Sequence, residues 1–246
     1  MKNITLVTGA SSGIGQALAR QLASQGHLVM GLARSSEKLM ALKNELGSTF
    51  IPITCDVSSQ SDIRRASQYI LDQGLCPTIF FLNAGMAGEK VIEDPESFKV
   101  QMHERIMAVN YFGVLAFVEF FEKPCLENGG AHFIVTSSVN AVFAPPTGSA
   151  YCASKAGISK AFESLSLTYF KKNLRFSSIY PGPVATNGLK GDLPFTWGVE
   201  KMAKYMCNFS KGKKSRGYPS LFYFLVCHLL RIFPDSVVMR LLKKIK

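Results

Sequence analysis

The sequence predicts one α/β domain, a doubly wound parallel sheet with helices on both faces, and three observations lead to that prediction. Short apolar, β-branched runs alternate with helix-length amphipathic stretches. Strands separated by helices pair in parallel through right-handed crossovers. The runs are apolar throughout, as in strands that are covered on both faces. A length of 246 residues suits one such domain.

Six strands and five helices make up this alternation. The predicted strands are 4–8, 28–33, 50–55, 78–82, 132–136 and 175–180. The predicted helices begin near Ile14, Glu37, Ser59, Gln101 and Ala150. Ligands of doubly wound folds bind beyond the carboxyl ends of the strands. The residues that follow each strand are therefore the candidates for a functional site.

Composition excludes several classes of protein. With 47% hydrophobic and 18% charged residues, the chain is expected to be globular and not disordered. The N-terminal MKNITLVTGASS is a poor signal peptide and a good first strand. The six cysteines form no C-x-x-C pair, which favours reduced thiols in a cytoplasm. The four histidines are scattered, so nothing in the sequence argues for a metal site.

The stretch TGASSGIG after the first strand predicts a nucleotide-binding turn. Gly9, Gly13 and Gly15 let the backbone approach a pyrophosphate, and the N-terminus of the following helix offers unpaired N–H groups to the anion. A plain strand-to-helix connection is the alternative.

The residues after the second and third strands concern the same ligand. In dinucleotide-binding folds an acidic residue near the end of the second strand holds the ribose 2′-hydroxyl, whereas an arginine accommodates a 2′-phosphate. Ala33 stands where the acid is expected and Arg34 follows it, which favours NADP over NAD; a solvated arginine is the alternative. After the third strand, Asp56 could accept a hydrogen bond from the adenine, or it could cap the next helix, as Ser58 might.

Polar residues also follow the remaining strands, in NAG (83–85), TSSVNA (136–141) and YPGPVATN (180–187). Such a gathering is typical of a polar site in an apolar scaffold, although each residue alone could belong to a turn.

The pentapeptide YCASK places Tyr151 and Lys155 on one face of a helix. A unit charge about 4 Å away is worth roughly 4 kcal/mol at an effective dielectric near 20, which is about 3 pKa units. We therefore expect Lys155 to bring the phenol pKa near 7, where the phenol can give and take a proton. The alternative is a surface Tyr–Lys pair.

Taken together, these motifs resemble those of the short-chain dehydrogenase/reductase family. The resemblance covers about residues 3–186 and rests on TGASSGIG, NAG, Asn110 in AVN, Ser138 in TSS, YCASK and PGPVAT. It implies a single Rossmann-type domain over residues 1–246. It also implies an NADP-dependent oxidoreductase that transfers hydride between NADPH and a ketone or aldehyde, or acts on a secondary alcohol in reverse.

The resemblance implies a role for each catalytic position. Tyr151 would protonate the carbonyl oxygen, and Lys155 would lower its pKa and bind the nicotinamide ribose. Ser138, in preference to Ser137, would orient the substrate oxygen. Asn110 would hold a water that relays protons through Lys155.

The resemblance also implies a cofactor cleft. Asp56 and Val57 would meet the adenine, Asn83 its neighbouring ribose, and Thr186 the carboxamide. The implied cofactor-binding residues are Gly9, Ser11, Ser12, Gly13, Ile14, Gly15, Arg34, Asp56, Val57, Asn83, Ala84, Gly85, Tyr151, Lys155, Pro181, Gly182, Val184 and Thr186.

The C-terminal quarter departs from the family pattern. From Lys190 onward, twelve lysines and arginines face three acidic residues, so +9 of the net charge of +11 lies there. The Asp-Gly-Gly ending of many members is missing, which puts their tetramer contacts in doubt and leaves a dimer as the expected assembly. Residues 218–246 are predicted to form basic amphipathic helices. These either pack on the domain or a second subunit, or contact a membrane surface peripherally; the apolar run 221–233 is too short to span a bilayer, and nucleic acid is not expected.

Residues 187–212 occupy the position of a substrate lid in the family. The lid's Leu189, Leu193, Phe195 and Trp197 suit a lipophilic substrate. The alternative functions are a 3-oxoacyl-carrier-protein reductase, whose acidic carrier could bind the basic C-terminal tail, and a non-catalytic NADP-binding sensor. The presence of all four catalytic positions argues against the sensor. The expected location is cytoplasmic, with the membrane-peripheral alternative open.

Overall fold

A single parallel sheet organises the chain. The computed structural model describes residues 3–87, 99–145, 148–186, 195–234, 236–238 and 240. Within these ranges seven strands pair in parallel in the order β3-β2-β1-β4-β5-β6-β7. The strands are β1 (Ile4–Thr8), β2 (Leu28–Ala33), β3 (Phe50–Thr54), β4 (Ile79–Leu82), β5 (Ala131–Thr136), β6 (Leu174–Ile179) and β7 (Arg216–Gly217).

The crossovers between strands are largely helical. The helices are α1 (Gly13–Ser24), α2 (Ser36–Leu46), α3 (Gln60–Asp72), α4 (Val100–Met107), α5 (Gly113–Glu127), α6 (Ser149–Thr168), α7 (Val199–Lys211) and α8 (Leu221–Leu230). A π-helical turn, Ala108–Phe112, joins α4 to α5. Short 3₁₀ turns lie at Gly47–Thr49 and Val139–Ala141.

Two hydrophobic cores, one on each face of the sheet, hold these helices in place. One core packs α3, α5 and α6 against the strands, and the other packs α1, α2 and α7. Burial on both faces explains why the strand sequences are continuously apolar and do not alternate. The predicted doubly wound α/β fold is confirmed.

Stacked phenylalanines fill the first core. Phe80, Phe133 and Phe176 occupy matching positions on β4, β5 and β6. Their ring centroids are 4.4 Å apart in the first pair and 5.2 Å apart in the second. Phe121 of α5 packs on Phe80 at 5.0 Å. The rings fix the three strands whose carboxyl ends carry most of the polar motifs.

The lid interpretation of residues 187–212 needs correction. Residues 199–211 are helix α7, whose Met202 and Met206 are fully buried against the sheet. Because buried residues recur at helical spacing, this segment is part of the scaffold. Only the preceding residues remain for a lid, and 187–194, with Leu189 and Leu193, lie outside the described residues.

The proposed caps of α3 are also wrong. Ser59 is the N-cap, and its hydroxyl accepts a hydrogen bond from the backbone N–H of Asp62. Asp56 instead forms a local turn, in which its carboxylate accepts from the N–H and the hydroxyl of Ser58.

The C-terminal prediction holds in part. Ser220 caps α8 by accepting from the N–H of Tyr223, and residues 236–238 and 240 are again helical. Asp235, residue 239 and residues 241–246 lie outside the described residues. None of the helices described has the length and apolar character needed to cross a bilayer.

The phenylalanine stack gives a stability prediction. Replacing Phe133 by Ala leaves a cavity between two rings and should lower the free energy of unfolding by about 3–5 kcal/mol. Phe170→Ala is the matched control, since that ring is 81% exposed and should change stability by less than about 0.5 kcal/mol. Urea unfolding of both variants measures the difference; equal effects would contradict the packing described.

Candidate active site

The glycine-rich turn lies where the sheet changes direction. Strand β1 lies between β2 and β4, so the sheet grows to one side of β1 through β2 and β3 and to its other side from β4 onward. Gly9 and Gly13 have φ of 72° and 54°, which favours glycine. At Gly15 an added Cβ would lie 2.2 Å from the Gly9 carbonyl oxygen. The turn is therefore compact enough for the backbone to approach a ligand closely.

The N-terminus of α1 fits an anionic group. Ser12, its N-cap, makes no side-chain capping hydrogen bond, and the first turn carries no acidic residue. In contrast, Ser35 and Ser59 cap α2 and α3 with their hydroxyls. The first N–H groups of α1, at the positive end of the helix dipole, thus face no competing side-chain oxygen at the cap. A dinucleotide pyrophosphate matches this environment.

Asn83 ties the ends of three strands together. Its amide donates to the carbonyl of Thr8 on β1 (3.3 Å) and accepts from the hydroxyl of Thr136 on β5 (3.1 Å). The N–H of Ala84 donates to the hydroxyl of Thr8 at 2.9 Å. The motif NAG therefore fixes the floor of the cleft, while ribose binding by Asn83 remains a prediction.

The end of β2 presents a free basic group. Ala33 is buried at the strand end, and Arg34 is exposed. Arg34 makes no ion pair among the described residues. Nearby, Val57 lies against Gly113 of α5: an added Cβ on that glycine would be 2.1 Å from the Val57 carbonyl oxygen.

The segment after β6 closes the other side of the cleft. Val184 pairs with Trp197, whose N–H donates to Pro183 and whose carbonyl accepts from Ala185. The methyl carbon of Thr186 lies 3.3 Å from the position of a Cβ on Gly13. The predicted carboxamide-binding residue and the glycine turn are therefore neighbours.

Tyr151, Ser138 and Lys155 converge at the ends of β5 and α6. The Lys155 ammonium nitrogen lies 5.7 Å from the centroid of the Tyr151 ring. The Ser138 hydroxyl hydrogen-bonds the Tyr151 phenol. Ser137 is buried and bonds instead to Ser159 at 2.6 Å, away from the phenol. The geometry thus favours Ser138 over Ser137, as expected.

Lys155 is a buried cation, with only 4% of its surface exposed. Its ammonium donates to the carbonyl of Thr136 at 2.7 Å. Because burial disfavours the charged form, the pKa of Lys155 is lowered to about 8. Gly85 leaves room beside it: an added Cβ would lie 3.3 Å from the ammonium nitrogen and 3.5 Å from the amide oxygen of Asn110.

The pKa of Tyr151 shifts in the direction opposite to the one expected. Burial raises it, and the hydrogen bond with Ser138 opposes that rise in part. The expectation of a phenol pKa near 7 is therefore wrong for the chain by itself. The physical reason is that Lys155 directs its ammonium to the Thr136 carbonyl, so its charge compensates little of the desolvation of a phenolate.

Asn110 belongs to the π-helical turn and is almost fully buried. Its amide nitrogen donates to the carbonyl of Met86 (2.8 Å) and to the hydroxyl of Ser154 (2.9 Å), and its oxygen accepts from the N–H of Met86 (2.8 Å). The side chain therefore clamps the loop after β4 to α6. The proton relay through Lys155 remains a prediction.

Comparison with known proteins now decides the family. A sequence model described as short chain dehydrogenase matches residues 3–193. The chain belongs to the short chain dehydrogenase family. It is accordingly an oxidoreductase of the nicotinamide-dependent type, as the motifs predicted.

Curated relatives share about three quarters of the chain. A glucose 1-dehydrogenase of Gluconobacter oxydans is 31% identical over 186 residues, which cover 74% of this chain and 69% of the relative. The dehydrogenase/reductase SDR family member 7B of Danio rerio is 29% identical over 193 residues, covering 75% of this chain and 62% of the relative.

Solved structures of the family superimpose closely. A short chain dehydrogenase from Burkholderia cenocepacia in complex with NADP is 25% identical, has a TM-score of 0.82 and covers 98% of both chains. A 3-ketoacyl-(acyl-carrier-protein) reductase from Brucella melitensis complexed with NADH is 20% identical, has a TM-score of 0.81 and covers 88% of this chain and 96% of that one. The second likeness concerns the fold alone.

Several contributing residues were missed from the sequence. Thr136 contacts Lys155 through its backbone carbonyl and Met86 contacts Asn110 through its peptide groups, so these two contacts leave no signal in the side-chain sequence. Ser154, within YCASK, could have been found from its position one helical turn after Tyr151, whose carbonyl accepts from the Ser154 hydroxyl. Tyr223 packs over Gly182, where an added Cβ would lie 2.6 Å from the ring.

The burial of Lys155 gives a pH prediction. The folded pKa of about 8 lies below the ordinary value of 10.5. The unfolded chain therefore binds more protons between these pH values, and the folded state gains stability as pH rises through them. Relative to Lys155→Met, the wild-type chain should gain up to about 1.4 kcal/mol per pH unit in this window. Urea unfolding of both chains at pH 7, 8, 9 and 10 measures the difference in their free energies of unfolding. A difference that does not change with pH would refute the lowered pKa of Lys155.

Proposed function

We propose that the protein is an NADP-dependent reductase of lipophilic ketones or aldehydes. The observation that carries the proposal is the hydrogen-bonded pair of Ser138 and Tyr151 beside the buried Lys155, at the same sheet edge as the glycine turn. Two hydroxyl donors at one point suit a carbonyl oxygen that gains negative charge.

The residues divide the chemistry among them. When bound, the reduced nicotinamide cofactor supplies the hydride. Ser138 donates a hydrogen bond to the carbonyl oxygen and orients it, and Tyr151 delivers the proton. Burial raises the pKa of Tyr151, so the phenol is protonated at neutral pH and carries the proton that the carbonyl oxygen takes up. Lys155, with a pKa of about 8, can exchange a proton near neutral pH and replace the one that the phenol gives up.

The preference for NADP rests on the end of β2. Arg34 is exposed there without an acidic partner among the described residues, and no carboxylate occupies the position of Ala33. A guanidinium attracts a 2′-phosphate, while a carboxylate at this position would repel it. Solved structures similar to this chain hold NADP, NADH or NAD, so the preference rests on Arg34 alone.

The lipophilic substrate class rests on the surroundings of the cleft. An apolar depression adjoins the segment after β6, and its lining includes Val184, Phe195, Trp197 and Met202. Apolar walls with a few convergent polar groups are typical of sites for apolar ligands.

The alternatives to this function are a 3-oxoacyl-carrier-protein reductase and a non-catalytic sensor. The basic C-terminal quarter would suit the acidic carrier of a 3-oxoacyl-carrier-protein reductase, and the Brucella melitensis structure carries that activity in its name. A homodimer is the assembly we propose on the family resemblance. A non-catalytic sensor is the weaker alternative because Asn110, Ser138, Tyr151 and Lys155 are all present.

Removing the phenolic hydroxyl tests the proposal. Tyr151→Phe should lower kcat for carbonyl reduction by at least about 100-fold, the scale of general acid catalysis, because no proton donor replaces it. NADPH affinity, measured by fluorescence titration, should change little. Ser137→Ala is the matched control, since that hydroxyl faces Ser159, and it should keep most of the activity. Substantial turnover by Tyr151→Phe would refute the acid role.

Reversing the charge at Arg34 tests cofactor choice. Arg34→Asp should weaken NADPH binding far more than NADH binding, by about 1–3 kcal/mol in the difference, since a charge-assisted contact to phosphate is lost. Arg64→Asp, at an exposed position of α3, controls for the change in net charge. Titrations with NADPH and NADH measure both affinities. Equal losses of affinity for the two cofactors would show that Arg34 does not bind the 2′-phosphate.

A further inference from the structure

Helix α8 is anchored to the domain by one of its faces. Tyr223 packs over Gly182 in the segment after β6, and Cys227 is buried. Tyr218, just before the helix, stacks on Tyr180 with ring centroids 4.8 Å apart and contacts Phe224 at 4.5 Å. These contacts fix the orientation of α8 beside the cleft.

The opposite face of α8 is exposed and apolar. Leu221, Phe222, Leu225 and Leu229 are 68%, 45%, 49% and 54% exposed, and Ile232, just beyond the helix, is 79% exposed. At about 100° per residue, the four helical positions fall within an arc of about 100°. We call these five residues the apolar stripe. Every residue in it is hydrophobic, whereas large side chains of this kind are normally exposed singly.

The apolar stripe begins next to the cleft. The ring of Phe222 contacts that of Phe195, with centroids 4.5 Å apart, and Phe195 also lines the apolar depression beside Gly182. Phe195 is 63% exposed and has a φ of 57°, an unfavourable backbone conformation for a bulky residue. The strained residue thus extends the exposed apolar surface from α8 to this depression.

We infer that the apolar stripe docks on the surface of an anionic phospholipid bilayer and that the lipophilic carbonyl substrate passes from the bilayer into the cleft past Phe195. Docking by itself is independent of the proposed reductase function; the passage of substrate rests on it.

The positive charge of the C-terminal quarter favours an anionic partner. The C-terminal quarter carries twelve lysines and arginines against three acidic residues. Arg231 lies at the end of α8 and Arg240 follows, and both are exposed. An apolar helix face flanked by basic side chains inserts into the boundary between headgroups and acyl chains, and anionic lipids strengthen the binding.

Charge, and not area, separates a bilayer from a second copy of the chain as the partner. Half-exposed side chains of this size each leave about 100 Å² accessible, so the five residues present about 500 Å² of apolar surface. A second copy would bring its own net charge of +11 to the contact, whereas an anionic bilayer offsets positive charge.

Vesicle sedimentation tests the docking. The full chain should sediment with phosphatidylcholine vesicles that contain phosphatidylserine, bind pure phosphatidylcholine more weakly, and lose affinity as salt is raised. The double substitution Leu225→Glu/Leu229→Glu, called the stripe variant, should reduce binding at least 10-fold. Leu167→Glu/Phe170→Glu is the matched control, because those residues are 72% and 81% exposed at the end of α6, and it should bind as the wild type does.

Three results would overturn the docking: no sedimentation of the wild-type chain, equal binding by the stripe variant, or equal loss in the control variant. Light scattering identifies the competing partner. A dimer that the stripe variant dissociates, without vesicle binding by the wild type, would assign the stripe to a second copy.

Substrate delivery needs a separate readout. The stripe variant should reduce a long-chain ketone embedded in vesicles at least 10-fold more slowly than the wild type, but a short water-soluble ketone at the same rate. Equal rates on the embedded ketone would refute delivery through the stripe. If the wild type binds vesicles but reduces neither ketone, the proposed function fails and the docking stands.

Discussion

A lysine ammonium held out of water at the carboxyl end of the sheet is the constraint on which the site depends. Moving a cation into a protein interior is costly unless polar groups surround it. Lys155 meets this need through the Thr136 carbonyl at the end of β5, and Gly85 keeps the other side open. Helix α6 must therefore be positioned so that Lys155 reaches the carboxyl ends of both β4 and β5. The same burial lowers the pKa of Lys155 and raises that of Tyr151.

The scaffold and the C-terminal quarter contribute different things to function. Through residue 186 the chain builds the glycine turn, the strand-end hydrogen bonds and the group of Ser138, Tyr151 and Lys155, and the family match spans residues 3–193. Beyond it, α7 completes a core, while α8 adds the apolar stripe and most of the excess positive charge follows Lys190. The first part fits the chemistry of carbonyl reduction. The second decides, in our account, from which phase the carbonyl compound arrives.

Much of the fold and of the site could be predicted from the sequence, because apolar runs mark buried strands and short motifs mark their ends. The pairing of Tyr151 with Lys155 follows from helical spacing alone. What could not be predicted depends on three-dimensional burial: the direction of the Tyr151 pKa shift requires knowing that Lys155 donates to a backbone carbonyl. Helix α7 was predicted to be part of a lid because residues 187–212 occupy the position of a lid in the family, although its buried Met202 and Met206 do show helical spacing.

The most direct measurement of the central claim is NADPH consumption by the wild-type chain across carbonyl compounds graded from short polar ketones to long-chain, cyclic and acyl-thioester ones. Turnover should rise with the apolar surface of the compound. NADPH binding shown by titration, together with an absence of turnover on every compound, would contradict the assignment as a reductase of lipophilic carbonyls. Turnover confined to acyl thioesters would also contradict it, in favour of the carrier-protein reductase.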